Sequence, residues 1–118
     1  GRVMRLNGKA FRNLIKPHLA RPLPLHEALE AVAEGAQWLD IRMPNEVQGR
    51  RIRGAVSIPH PIVRAKLLKV DYTKRFLVVC ADQTHSPVIA YMLSKYGLDA
   101  YYLKGGFESV PIELLEFQ

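Results

Sequence analysis

Apolar and polar positions along this chain switch between a helical and an extended period, and the switches outline its elements. Leu25, Ala28, Leu29 and Val32 recur at helical spacing with Glu27, Glu30 and Glu34 outside the stripe, and Gly35 offers a left-handed stop. Short apolar runs follow at Trp38–Ile41, Val56–Ile58, Phe76–Val79 and Ala100–Leu103, each short enough to be a strand. Helices are expected near Ile62–Leu68 and over Val88–Tyr96, with Gly97 after the second and a further helical segment at the C-terminus. Alternation of this kind predicts an α/β layered fold around a mostly parallel sheet. Phe76–Val79 lacks polar alternation, as expected for a central parallel strand covered on both faces.

The N-terminal piece has a pattern of its own. Val3 to Leu6 reads as a short strand, Asn7 can cap, and Ala10, Phe11, Leu14 and Ile15 fall on one face of a short helix ending at Lys16-Pro17. Pro17 to Pro24 holds three prolines in eight residues, which suits an extended linker. Residues 1–24 are therefore expected to be a segment and linker, and residues 25–118 a single domain. The 118 residues suffice for one compact domain with a real core.

Charge changes this picture little once it is divided along the chain. The formal net charge is +6, but Arg2, Arg5, Lys9, Arg12, Lys16 and Arg21 precede the first acidic residue, Glu27, and the later charges cancel. No basic surface interleaved with aromatics emerges, so a nucleic-acid partner is not expected. The local triplet Arg50, Arg51 and Arg53 reads as a solvated loop, or as a source of positive potential near an anion site. No window approaches the roughly twenty apolar residues that span a bilayer, and no signal-peptide pattern opens the chain, so no membrane association and a cytoplasmic location are expected. One cysteine excludes an intramolecular disulfide.

That cysteine, Cys80, carries the most chemistry. It stands where Phe76–Val79 gives way to the polar stretch Ala81, Asp82, Gln83, Thr84 and His85, a strand-to-loop junction. Ser86-Pro87 then reads as an N-cap followed by the first helical residue. The thiol is thus expected to face a helix N-terminus, where unpaired amides and the helix dipole favour an anion such as a thiolate or persulfide. Successive N–H groups of residues 81–86 would curve around the sulfur as an anion nest. Ligands of open parallel sheets gather outside the strands' carboxyl ends, and Asp40 with Arg42 and the turn Lys104-Gly105-Gly106 are expected at that same edge. The bland alternative is a buried, inert cysteine at a strand end. His18, His26 and His60 are isolated from one another and from Cys80 in sequence, without metal-ligand spacing, so neither a metal nor a cofactor is expected.

The loop from Cys80 to Ser86, its following helix and the later Leu103-Lys104-Gly105-Gly106-Phe107 together resemble the rhodanese-like sulfurtransferase domain. Trp38-Leu39-Asp40-Ile41-Arg42-Met43-Pro44-Asn45-Glu46 and Gly54-Ala55-Val56-Ser57-Ile58-Pro59 look like two further elements of that family, in the right order. The resemblance covers about Leu25 to Val110. It implies that Cys80 is a nucleophile that takes sulfane sulfur from a small anionic donor and passes it from a persulfide to a thiol or cyanide. It also implies that Asp40 and Arg42 mainly order neighbouring loops. The first fifteen residues are similar to the closing strand and helix of bacterial cyclic nucleotide-binding domains, which implies such a domain upstream.

Several positions depart from the family's pattern. Gln83 stands where glycine is usual, and a residue that resists glycine's backbone angles is expected to distort or reshape the loop. His85 stands where arginine is usual, so a permanent positive charge is missing, while Asp82 adds a negative one. Both changes imply weak use of thiosulfate and favour a low-molecular-weight or protein persulfide. Val47, Arg50, Arg51 and Arg53 replace an aromatic, glycine, histidine and proline. Related phosphatases have a loop one residue longer that ends in arginine, where this chain has Ser86, and phosphatase activity is disfavoured. The rival reading is a regulatory or binding module that senses persulfide or oxidant at Cys80, or binds an anion without turnover.

Overall fold

The computed structural model describes residues 19–66 and 73–117. The expected strand and helix of the first fifteen residues lie outside them, as does the end of the helix expected near Ile62–Leu68. Within the described residues the chain runs β1 (Pro22–Leu23), α1 (Leu25–Ala33), β2 (Gln37–Asp40), α2 (Pro44–Val47), β3 (Arg50–Ile52), β4 (Val56–Ser57), β5 (Arg75–Val79), α3 (Ser86–Lys95), β6 (Asp99–Leu103) and β7 (Leu115–Phe117). Short 3-10 turns cover His60–Ile62, Phe107–Ser109 and Ile112–Leu114.

β5 is central, and from Phe76 to Val79 nothing along it meets water. Phe76, Leu77, Val78 and Val79 are each at most 2% exposed. The five-stranded sheet has the order β1-β6-β5-β2-β4, and all four pairings are parallel. Successive side chains of β5 enter opposite cores. Phe76 and Val78 pack with Leu39 of β2 and with Ile89, Met92 and Leu93 of α3. Leu77 and Val79 pack with Trp38, with Ala28 and Ala31 of α1, and with Phe107. Burying each such large apolar side chain is worth about 1.5–3 kcal/mol, which two covered faces nearly double relative to one.

α1 ends as its pattern predicts. Gly35 takes φ +107°, and the Ala36 amide reaches back to the Ala31 carbonyl at 2.9 Å, turning the chain into β2.

Four expectations need correction. Pro22 and Leu23 are extended, as the prolines demand, but they form the edge strand β1 against Tyr102 and Leu103 rather than a linker. Arg21 reinforces that edge, since its guanidinium reaches Asp99, the Ala100 carbonyl and the Tyr101 hydroxyl. The Arg50–Arg53 stretch is not a solvated loop: β3 pairs antiparallel with β7, Ile52 opposite Leu115, both turned into the core. The C-terminal segment is accordingly two 3-10 turns and a strand rather than a helix, with Pro111 breaking the run. The helix expected near Ile62 starts as a 3-10 turn at His60, with one helical bond from the Lys66 amide to the Ile62 carbonyl at 3.0 Å.

The connections diverge at the centre of the sheet. The chain leaves β2 towards β4 on one side, and leaves β5 through α3 towards β6 on the other. The divergence falls between the carboxyl ends of β2 and β5, the kind of place where α/β sheets bind ligands. Asp40 and Val79 are register partners at that end, so Cys80 begins the loop beside it. Among the described residues no helix is long and apolar enough to cross a membrane.

Candidate functional site

Cys80 is 4% exposed, the first residue past β5. Its carbonyl accepts the Phe107 amide at 2.9 Å, which ties the start of the loop to the turn after β6. Gly106 makes that approach possible. It takes φ +68°, and a Cβ there would lie 2.9 Å from the Cys80 carbonyl oxygen and 3.1 Å from that of Ala81.

The loop is shaped by two of its own side chains. Asp82 Oδ1 accepts the Thr84 amide at 3.0 Å and the Cys80 thiol at 3.6 Å. The Thr84 amide, then its hydroxyl, with help from the Cys80 thiol and the charge of His85, hold the Asp82 carboxyl below its ordinary range despite some burial. It is therefore ionised at neutral pH. Gln83 adopts φ +66°, the conformation a glycine would take, rather than forcing the loop elsewhere. Its Oε1 accepts the Gly105 amide at 2.8 Å, a bond glycine lacks. The expected distortion is thus replaced by a strained backbone held by a cross-loop hydrogen bond.

Among the described residues, Thr84 is the only one from 81 to 85 whose backbone amide finds a protein acceptor. The amides of Ala81, Asp82, Gln83 and His85 have none. The helix itself starts one residue earlier than expected. His85 is the N-cap, Ser86 is the first helical residue, Pro87 is the second, and no side chain caps the end. Ser86 is fully buried and its Oγ lacks a protein partner, so capping does not account for it.

His85 also has a neighbour that its isolation in sequence did not suggest. The His60 ring stacks on it, centroids 3.7 Å apart and 13° between planes. His60 follows β4, and its amide bonds the Ile41 carbonyl at 3.0 Å. Partial burial, and then His85, lower the His60 pKa from its ordinary 6.5, with Glu46 opposing. The signal for His60 was available, since Ile58-Pro59-His60 leaves the same sheet edge as Cys80. The side chains of Cys80, Asp82 and His85 converge as well, with one ligand atom from each within 4.8 Å of the others.

Asp40 and Arg42 stand beside this loop but are occupied with each other. Arg42 Nε and Nη2 grip the Asp40 carboxylate at 2.9–3.1 Å, and both residues are buried. Arg42 Nη1 reaches the Glu46 carbonyl at 3.1 Å and Nη2 the Arg50 carbonyl at 2.8 Å. Its guanidinium lies 3.6 Å from the Phe107 ring centroid. All three guanidinium nitrogens are thus engaged in fixing loops. The basic triplet does not project its charge either: Arg50 pairs with Glu108, and Arg51 and Arg53 with Glu116. An open cleft of about 600 Å³ lies nearby, lined by Arg42, Pro44, Asn45, Val47, Gln48, Ser57 and Pro59. None of residues 80–86 lines it.

A buried cysteine thus opens the loop that follows the central strand of a parallel sheet, on an α/β scaffold. The chain belongs to the rhodanese-like domain family, whose pattern matches residues 24–111. It is 34% identical over 83 residues to the uncharacterized protein YqhL of Bacillus subtilis, an alignment covering 70% of this chain and 66% of that protein. Among solved structures it resembles reduced Bacillus anthracis CoADR-RHD, with a TM-score of 0.69 and 31% identity over 76% of this chain and 16% of that one. A rhodanese-like domain protein from Staphylococcus aureus shares the fold, with a TM-score of 0.74 and 24% identity over 83% of this chain and 98% of that one.

Proposed function

We propose that the chain carries sulfane sulfur on Cys80 and transfers it to a thiol. The Cys80 thiolate attacks the outer sulfur of a persulfide donor, the donor's S–S bond breaks, and its thiolate leaves. Cys80 then holds a persulfide. An acceptor thiolate or cyanide attacks the terminal sulfur, the new S–S bond breaks, and the Cys80 thiolate is regenerated. The observation that carries this reading is the row of unpaired amides at Ala81, Asp82, Gln83 and His85 behind a cysteine at the carboxyl end of β5. Such amides offer a terminal persulfide hydrogen bonds without bringing a competing cation. The fully buried Ser86 hydroxyl, lacking a partner, is one more donor at the loop's end.

The site's charge argues for the donor class. Asp82 is ionised 3.6 Å from the sulfur, and His85 supplies no permanent positive charge. Dianionic thiosulfate would meet a carboxylate at the loop, so a low-molecular-weight or protein persulfide is the favoured donor. The burial of Cys80 favours the rival reading, a module that retains a sulfur or an oxidant mark without passing it on.

Intact mass spectrometry after exposure to glutathione persulfide, and separately to thiosulfate, tests the proposal beside Cys80→Ser. The wild type is expected to gain one sulfur from glutathione persulfide, more completely than from thiosulfate, and to lose it to cyanide; the variant gains none. A sulfur that stays on after cyanide supports the retaining module. No adduct from either donor overturns the carrier chemistry.

A further inference from the structure

One loop brings three different ligand types to a single point. Cys80 Sγ, an Asp82 carboxylate oxygen and a His85 ring nitrogen all lie within 4.8 Å of one another. The Sγ–Oδ1 distance is 3.6 Å. Two ligands on one tetrahedral zinc, with Zn–S about 2.3 Å and Zn–O about 2.1 Å, stand about 3.6 Å apart, so this pair is already spaced for a shared metal. Bringing in the imidazole takes a closure of about 1 Å, within reach of exposed side chains such as Asp82 and His85.

The charges point the same way. A thiolate 3.6 Å from a carboxylate oxygen would place two negative charges side by side, and a divalent cation between them neutralises both. Thiolate and imidazole together select zinc over magnesium or calcium, which prefer all-oxygen shells. Outer contacts are in place too: the Thr84 amide orients the Asp82 carboxylate, and the stacked His60 ring limits how His85 can tilt.

We propose that the Cys80 loop binds one zinc-class divalent ion through Cys80 Sγ, Asp82 and His85, with the fourth position left to water or a small thiol. The thiol releases its proton to solvent as the metal–sulfur bond forms, a metal-bound water departs, and no electron is transferred. Because the bound sulfur is the nucleophile of the proposed sulfur transfer, the ion holds the loop in a reversible off state.

Cobalt(II) titration of the reduced chain, in a buffer without chelating groups, tests the site. One equivalent should produce a thiolate-to-cobalt charge-transfer band together with ligand-field bands of a tetrahedral site. Cys80→Ser should lose the charge-transfer band, and Asp82→Asn and His85→Gln should each bind cobalt about tenfold more weakly or worse. Zinc should displace the cobalt and slow alkylation of Cys80 by iodoacetamide. Circular dichroism of each variant confirms that it folds. An absent charge-transfer band overturns the proposal, and so does affinity in both Asp82→Asn and His85→Gln within about twofold of wild type, which would leave only an adventitious thiol contact. No sulfur donor enters this measurement, so its failure is distinguishable from failure of the carrier chemistry.

Discussion

At Gln83 the backbone and the side chain pull on stability in opposite directions. A left-handed conformation costs a non-glycine residue about 1–2 kcal/mol. The Oε1 bond to the Gly105 amide returns about 0.5–1.5 kcal/mol. Gln83→Gly relieves the strain, loses the bond and gains freedom in the unfolded chain. Its stability is expected to lie within about 1 kcal/mol of wild type by urea denaturation. Alkylation of Cys80 should nonetheless speed up, because the side-chain tie between the cysteine loop and the turn after β6 is gone and only the Phe107–Cys80 backbone bond remains. An unchanged alkylation rate would show that this tie does not guard the thiol. The family resemblance implied that Gln83 replaces a glycine, but not that it would accept a glycine's conformation, because the donor that holds it there, the Gly105 amide, is 22 residues away.

Between elements, Arg42 is the principal tie. It joins the end of β2 to α2 and β3 through the Asp40 carboxylate and the Glu46 and Arg50 carbonyls. Arg42→Ala would leave a buried carboxylate with only the backbone amide of residue 42 as donor, and two carbonyls without the guanidinium. It is expected to cost about 3–5 kcal/mol, measured as a fall in the urea midpoint with far-UV ellipticity retained at low denaturant. A loss below about 1 kcal/mol would refute this role. Lysine should restore only part of it, since an ammonium cannot reproduce the bidentate fork. The strands flanking this tie differ in how legible they are. β5 and β6 follow from contiguous apolar runs, found at Arg75–Val79 and Asp99–Leu103 against expectations of Phe76–Val79 and Ala100–Leu103. β3 and β7 carry charges along their exposed sides and pair across more than sixty residues, so periodicity alone did not reveal them.

The whole molecule should answer to acid in two stages. The pKa of His60 is lowered in the folded state, so the unfolded chain binds that proton more readily. The contribution of His60 is complete well above its ordinary 6.5 and declines as the pH falls through that value. Asp82 and Asp99 act at lower pH. Burial raises Asp99, but the Arg75 and Arg21 bonds and charges outweigh it, and Asp82 is held down by Thr84. Their stabilisation is present above the ordinary 3.8 and is lost as the pH falls below it. Urea denaturation at about pH 7.5 and about pH 5.5 should show a decline in wild type that His60→Gln lessens. Parallel behaviour of the two proteins would remove His60 from the first stage.

By itself the sequence determined the alternation of strands and helices, the buried centre at β5 and the place of Cys80 at a strand's carboxyl end. Those depend on side-chain period and on covalent neighbours, which are present in the unfolded chain. Only the tertiary structure decided that His60 stacks on His85, that Gly106 admits the Cys80 carbonyl and that Arg42 is wholly engaged. It also decided that Pro22 and Leu23 join the sheet and that Leu115 covers Ile52. Each of these is a contact between residues far apart in the chain, where position depends on how the sheet orders its strands and closes its two cores.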